Sequence, residues 1–147
     1  MQGIRQLGLE IRTLNNCVKR FVQSSKPPEL QESTGVHGWA IRYFFVNRDK
    51  DIFQRDFEER FSIRRSTATN MLKLMEKNGI ITRESVDYDA RLKKIVLTEK
   101  AIEIHKKAVK NIEKIESILK SGITDEELAL FYNVLDKIKL NLEVKND

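Results

Sequence analysis

The chain has 147 residues, 40% hydrophobic and 33% charged, with 27 Lys and Arg against 22 Asp and Glu for a net charge of +5. That length suits one compact unit or a small lobe with helical attachments, and the modest basic excess permits nucleic-acid binding without requiring it. A single cysteine, Cys17, excludes an intrachain disulfide, charges at Arg5, Glu10, Arg12 and Lys19 exclude a signal-peptide core, and no apolar run approaches a membrane span, so a cytoplasmic protein is expected.

The N-terminal segment places Ile4, Leu7, Ile11, Leu14, Val18 and Phe21 at alternating steps of three and four, the seam of an amphipathic helix that ends before Pro27-Pro28. Lys26 to Glu29 reads as a connector. Cys17 lies beside the seam and has two readings, an oxidation-sensitive thiol or a half-buried small hydrophobe, of which packing is the commoner fate of a free cysteine. The next helix is rich in aromatics for a chain that is 7% aromatic: Val36, Trp39, Ala40, Ile41, Tyr43, Phe44 and Phe45. Plain core is the favoured reading for it. His37 and His105 stand too far apart, with too few other ligands, to suggest a metal site, and His105 falls on an apolar seam as a packed histidine. Neither a nucleophile-base pair nor paired carboxylates occur in a recognisable context, so no enzyme, cofactor or metal is expected.

From Ile52 to Thr98 the pattern changes to helix, turn, helix, hairpin. Phe53, Phe57 and Phe61 mark one side of a short helix, Ser62-Ile63 break it, and a second helix starts near Arg64 with Ala68, Met71, Leu72 and Met75 on one face. Its opposite face carries Ser66, Thr69, Asn70 and Lys73. Asn78-Gly79 end it, since a helix terminus often needs a residue in the left-handed conformation. Arg64 occupies the capping position without a side-chain acceptor for the orphan amides, a vacancy that a phosphate suits. Ile80 to Val86 then reads as a strand, Asp87 to Ala90 as a turn, and Leu92 to Leu97 as the returning strand. Cations concentrate here: Arg64, Arg65, Lys73 and Lys77 oppose only Glu76 on the second helix, and Arg91, Lys93 and Lys94 follow on the hairpin.

Beyond the hairpin, Ala101, His105, Ala108, Ile112, Ile115 and Leu119 form a second seam. Ser121-Gly122 interrupt it, Thr124 and Glu127 have capping-box spacing, and Leu128, Phe131, Leu135, Ile138 and Leu142 form a third. Three terminal seams exceed what one small lobe needs to fill its core, which points to homodimerisation, the alternative being a helical bundle packed within one subunit. The expected interface is Ile4, Leu7, Ile11, Leu14, Ile112, Ile115, Leu119, Leu128, Phe131, Leu135 and Ile138.

Taken in order, Arg65 to Asn70, Leu74 to Arg83, the Asp89-x-Arg91 turn, and Val96-Leu97-Thr98-Glu99-Lys100 resemble the MarR-type winged-helix transcriptional regulators. The similarity extends from the first helix to the last. It implies a mainly α fold (α+β) spanning residues 1–147 as a single domain, with a winged helix-turn-helix lobe at 35–98 and dimerisation helices at 1–26 and 99–147. It also implies a homodimer on a pseudo-palindromic operator in double-stranded DNA. Arg65, Ser66, Thr69, Asn70 and Lys73 are the expected major-groove residues, where Asn can pair adenine and Arg guanine, and Arg64 and Thr67 complete the expected DNA-binding set of this helix. Arg83, Lys93 and Lys94 suit phosphates, and Asp89 with Arg91 suits the minor groove. Relatives with a pocket between the dimerisation helices and the lobe suggest His37, Trp39, Arg42 and Tyr43 as an effector site for a small aromatic or anionic molecule, and relatives that sense peroxide suggest Cys17. Ala101 replaces the glycine usual after the Thr-Glu-Lys stretch, so the following helix is expected to run on without a joint. A protein- or RNA-interaction module using the same basic face is the rival reading.

Overall fold

The structure, a computed structural model, describes residues 3–26 and 35–143; Pro27 to Glu29 of the expected connector, and the side chains of Val36 and His37, lie outside the described residues. The elements run α1 (Leu7–Ser24), α2 (Gly35–Val46), α3 (Gln54–Phe61), α4 (Arg65–Lys77), β1 (Ile81–Val86), β2 (Asp89–Leu97), α5 (Glu99–Lys120) and α6 (Asp125–Glu143). The fold is the mainly helical winged-helix arrangement read from the sequence. No helix among the described residues is long and apolar enough to cross a membrane.

The chain groups into two compact units, residues 1–111 and 112–147. The division falls inside α5, because the start of α5 packs with the first unit. Ala101 and His105 are buried, and the His105 ring lies 4.3 Å from that of Phe45 on α2. Ala101 continues the helix as expected.

The core of the first unit joins Ala40, Ile41 and Phe44 of α2 to Phe57 of α3, Ala68, Leu72 and Met75 of α4, and Ile81 and Ile95 of the hairpin. Aromatic packing knits the front of it: Phe57 lies 5.4 Å from Phe44 and 4.9 Å from Phe61, with Tyr43 edge-on to Phe61 at 5.7 Å. Rings at these separations and tilts stabilise a core beyond the area they bury.

Two left-handed residues set the directions of the chain around α4. Ser62 closes α3 at φ 50°, and the Ile63 amide donates back to the Glu58 carbonyl at 3.1 Å, so the chain turns sharply into α4. Gly79 ends α4 at φ +71°; its amide reaches Glu76 and that of Ile80 reaches Met75 at 2.9 Å. That paired closure is a Schellman motif, and glycine meets its positive φ without steric cost. Thr98 then locks the exit of the hairpin. Its hydroxyl donates to the Gly79 carbonyl at 2.5 Å and accepts the Ala101 amide at 3.2 Å, joining the end of α4 to the start of α5.

The hairpin is antiparallel, with Ile81 opposite Leu97, Arg83 opposite Ile95 and Ser85 opposite Lys93. Its turn is shorter than the sequence suggested. Asp89 and Ala90 already belong to β2, because Val86 pairs with Asp89 across a bulge at Ser85/Val86 and leaves only Asp87 and Tyr88 in the turn. In the second unit, the Thr124 amide and Glu127 carboxylate bond at 2.9 Å while the Glu127 amide donates to the Thr124 hydroxyl at 3.2 Å, the reciprocal capping box anticipated at the start of α6.

Candidate nucleic-acid interface

Burial of Ala68, Leu72 and Met75 fixes the roll of α4, and the helical period then turns its polar residues outward. Arg64, Arg65, Ser66, Thr67, Asn70 and Lys73 are exposed and Thr69 is half-buried. Among the described residues, Arg64, Arg65 and Lys73 take part in no ion pair. Arg64 caps α4 in an extended conformation with no side-chain acceptor, so the first amides of the helix face outward uncapped. An oxyanion there would meet both the helix dipole and the neighbouring guanidinium groups.

Gln54, at the first turn of α3, was not marked by the sequence. Its side-chain amide donates to the Thr69 hydroxyl at 2.9 Å and contacts the Arg65 carbonyl at 3.4 Å, so it braces the polar face of α4 from α3. Its polar character gave no local signal of a contact 15 positions away.

On the hairpin, Arg91 is the most available cation, with a side chain 88% exposed. Asp89 accepts the Arg91 amide at 2.9 Å and the guanidinium Nε and Nη2 at 3.2 Å each, which orients the arginine while leaving it at the surface. Those hydrogen bonds, side chain first and backbone second, hold the Asp89 carboxyl below its ordinary range. The other hairpin cations are committed within the chain. Lys93 donates to Ser85 across the strands at 2.7 Å, Lys94 lies 3.5 Å from Asp51, and Arg83 lies 3.5 Å from Glu76 on α4. The cationic surface therefore consists of α4 and Arg91 more than of the strand residues.

A cleft of about 930 Å³ opens beside α2, lined by Trp39, Arg42, Tyr43, Arg60, Phe61 and Met71. It brings three of the expected effector residues together with Arg60 and Phe61 of α3, of which the sequence marked Phe61 only as part of an apolar helix face and Arg60 not at all. The aromatic helix thus divides its faces: Ala40, Ile41 and Phe44 fill the core, while Trp39, Arg42 and Tyr43 face the cleft. Burial raises the Tyr43 hydroxyl above its usual pKa, and the Asp56 charge adds to that.

His105 is the packed histidine expected. Burial pushes its pKa down, and the charges of Arg42 and Arg48 push the same way. Among the described residues no cluster of His, Cys, Asp and Glu is arranged to hold a metal ion. Cys17 is exposed rather than half-buried, with the Arg20 guanidinium 3.6 Å from its sulfur.

The expected dimerisation residues divide by exposure. Ile4, Leu7, Ile11 and Leu14 at the N-terminus, and Leu119 and Phe131, are exposed; Ile112, Leu128, Leu135 and Ile138 are half-buried. No residue of α1 or α6 is buried. Ile115 is the exception at 6% exposure, which commits it to packing within the chain. Ile4 precedes the first turn of α1 rather than extending its seam.

Comparison with known proteins agrees with this geometry. A sequence profile described as "MarR family" matches residues 44–92, the segment from the end of α2 through most of the hairpin. The uncharacterised HTH-type transcriptional regulator YybA of Bacillus subtilis (strain 168) is 22% identical over 140 residues, covering 95% of this chain and 88% of its own length. The crystal structure of the transcription regulator MarR from Oenococcus oeni PSU-1 superposes with a TM-score of 0.80 at 28% identity, covering 90% of this chain and 98% of that one. The S. aureus MepR–DNA complex gives the same TM-score of 0.80 at 20% identity over 93% of this chain and 98% of its own.

Proposed function

We propose that this chain, which is similar to the MarR winged-helix transcriptional regulators, acts in the cytoplasm as a homodimer on a pseudo-palindromic operator, with α4 in the major groove and the hairpin as a wing in the minor groove. It is a regulator and not an enzyme in this reading. The observation that carries it is the outward face of α4, where Arg64, Arg65 and Lys73 have no ion pair among the described residues and stand beside Asn70 and Thr69. Arg65 and Asn70 have the donor and acceptor sets to read guanine and adenine edges, while Lys73 and the uncapped amides at Arg64 suit phosphates.

Selection of bound fragments from the host genome tests this directly. A regulator recovers a recurrent inverted repeat and prefers it over unrelated duplex by about 10³-fold or more. Equal competition by unrelated duplex, or tighter capture of RNA, would instead mark the basic face as a general interaction module.

The cleft beside α2 supports a small anionic aromatic effector, since Arg42 and Arg60 can meet a carboxylate while Trp39, Tyr43 and Phe61 cover a ring. Trp39 is the only tryptophan of the chain and reports occupancy by its own fluorescence. Titration with benzoate should quench it saturably, and Arg42→Ala together with Arg60→Ala should abolish the saturation. Quenching that stays linear in both proteins would remove the cleft as a ligand site. Cys17 is given no sensing role, because exposure and one arginine contact do not by themselves make a sensor.

A further inference from the structure

One carboxylate ties the far end of the hairpin to the loop ahead of α3. Asp51 accepts the Tyr88 hydroxyl at 3.1 Å on one oxygen and meets the Lys94 ammonium at 3.5 Å on the other. Tyr88 is in the turn and Lys94 lies along β2, so the hairpin is gripped at two points. Next to this grip, the Ile95 amide donates to the Ile52 carbonyl at 2.7 Å, and both isoleucines are buried. Residues 51 and 52 therefore run along β2, Ile52 held by backbone and core and Asp51 by its side chain.

The grip matters because a two-stranded hairpin is marginal by itself. Its apolar support ends at Val86, while Tyr88 is 65% exposed and Arg91 projects from the start of β2. Past Val86 the described contacts that hold the tip to the rest of the lobe run through Asp51. Exposed ion pairs add little to stability, so the consequence lies in the pose of the tip. A tip ordered in advance spends less binding free energy on being ordered by DNA.

We propose that Asp51 is a positioning residue for DNA binding: through Tyr88 and Lys94 it sets the pose of the hairpin tip, and so where Arg91 is presented to the duplex. The proposal rests on the wing reading given above. It also makes a prediction of opposite sign to simple electrostatics. Removing an anion and freeing Lys94 raises the positive field of this face, which alone would tighten DNA binding; loss of positioning weakens it.

The test uses the full-length protein and the duplex recovered from the genome, with affinity read by anisotropy and backbone amide exchange read at residues 87–91. Asp51→Ala is expected to weaken binding about fivefold to tenfold through the lost pre-ordering. Asp51→Asn, which keeps an acceptor for Tyr88, should lose less, and Tyr88→Phe should lose part of the same effect. Exchange at the tip should accelerate in Asp51→Ala and Tyr88→Phe. Arg91→Ala should cost less in the Asp51→Ala background than in the wild type, the non-additivity expected when one residue acts through another. Tighter or unchanged binding by Asp51→Ala, additive effects with Arg91, or unchanged exchange at the tip would each overturn the proposal. If Arg91→Ala has no effect even in the wild-type background, the wing reading itself falls and the role of Asp51 falls with it. A normal Arg91 effect with unchanged exchange removes Asp51 alone.

Discussion

A Phe131→Asp variant should sediment as a monomer and lose most of its affinity for the operator. Phe131 is 47% exposed and no residue of α6 is buried, so the new carboxylate disturbs little within one chain. In a two-fold interface it would be placed twice against apolar partners, and an unpaired buried charge costs several kcal/mol. Leu14→Asp on α1, where the native side chain is 53% exposed, should act the same way. Loss of the dimer separates two half-sites that were bound as one, and the expected fall in operator affinity is about 10²- to 10⁴-fold. Circular dichroism should show that the lobe built on Phe57, Leu72, Met75 and Ile81 stays folded while total helicity drops, because no residue of α1 or α6 is fully buried in the isolated chain. Sedimentation velocity at micromolar concentration decides the matter. Dimers persisting in both variants would take α1 and α6 out of the interface.

Ile115 shows where sequence periodicity stops being informative. It sits at seam spacing with Ile112 and Leu119, yet it is buried within the chain while Leu119 is exposed. Apolar residues at steps of three and four reveal that a face will be covered; they do not say whether the cover is the same chain or a second copy. Charge has the same limit. Lys94 read as a phosphate-facing cation because its partner Asp51 lies 43 positions away, and Arg83 did so although Glu76 is near in sequence, because Glu76 stands on the preceding helix. Counting charges along a segment misses a carboxylate that tertiary folding delivers.

Features written in local sequence were legible. Gly79 after Asn78 announced the end of α4, Thr124 with Glu127 announced the start of α6, and Ala68, Leu72 and Met75 gave the buried face of α4. The early start of β2 was not, since Asp89 and Ala90 are poor strand formers and only pairing with Val86 draws them into the sheet. Gln54 was invisible for a related reason: its value lies in reaching Thr69, which depends on the angle that Ser62 imposes between α3 and α4.

Arg91→Ala and Asn70→Ala should damage operator binding in different ways, and the difference tests the assignment of wing and recognition helix. Arg91 is exposed, and Asp89 holds its guanidinium from one side only. A narrow A·T-rich minor groove has the negative potential to take such a group. Loss of Arg91 should weaken binding by about 1–3 kcal/mol per wing and flatten the dependence of affinity on salt by about one unit for each lost contact. Thermal stability should hardly move, because the Asp89–Arg91 pair is an exposed one that adds little to folding. Asn70 stands on the exposed face of α4 and offers an amide able to pair an adenine edge. Its replacement should relax preference at one base position in each half-site while leaving the salt slope nearly intact, since no phosphate contact is lost. Both variants can be measured against the selected duplex and against single-base changes of it over a range of salt. Wild-type affinity and slope for Arg91→Ala would take the hairpin off the DNA. A uniform loss across all sequences for Asn70→Ala would mean that α4 meets the backbone rather than the bases.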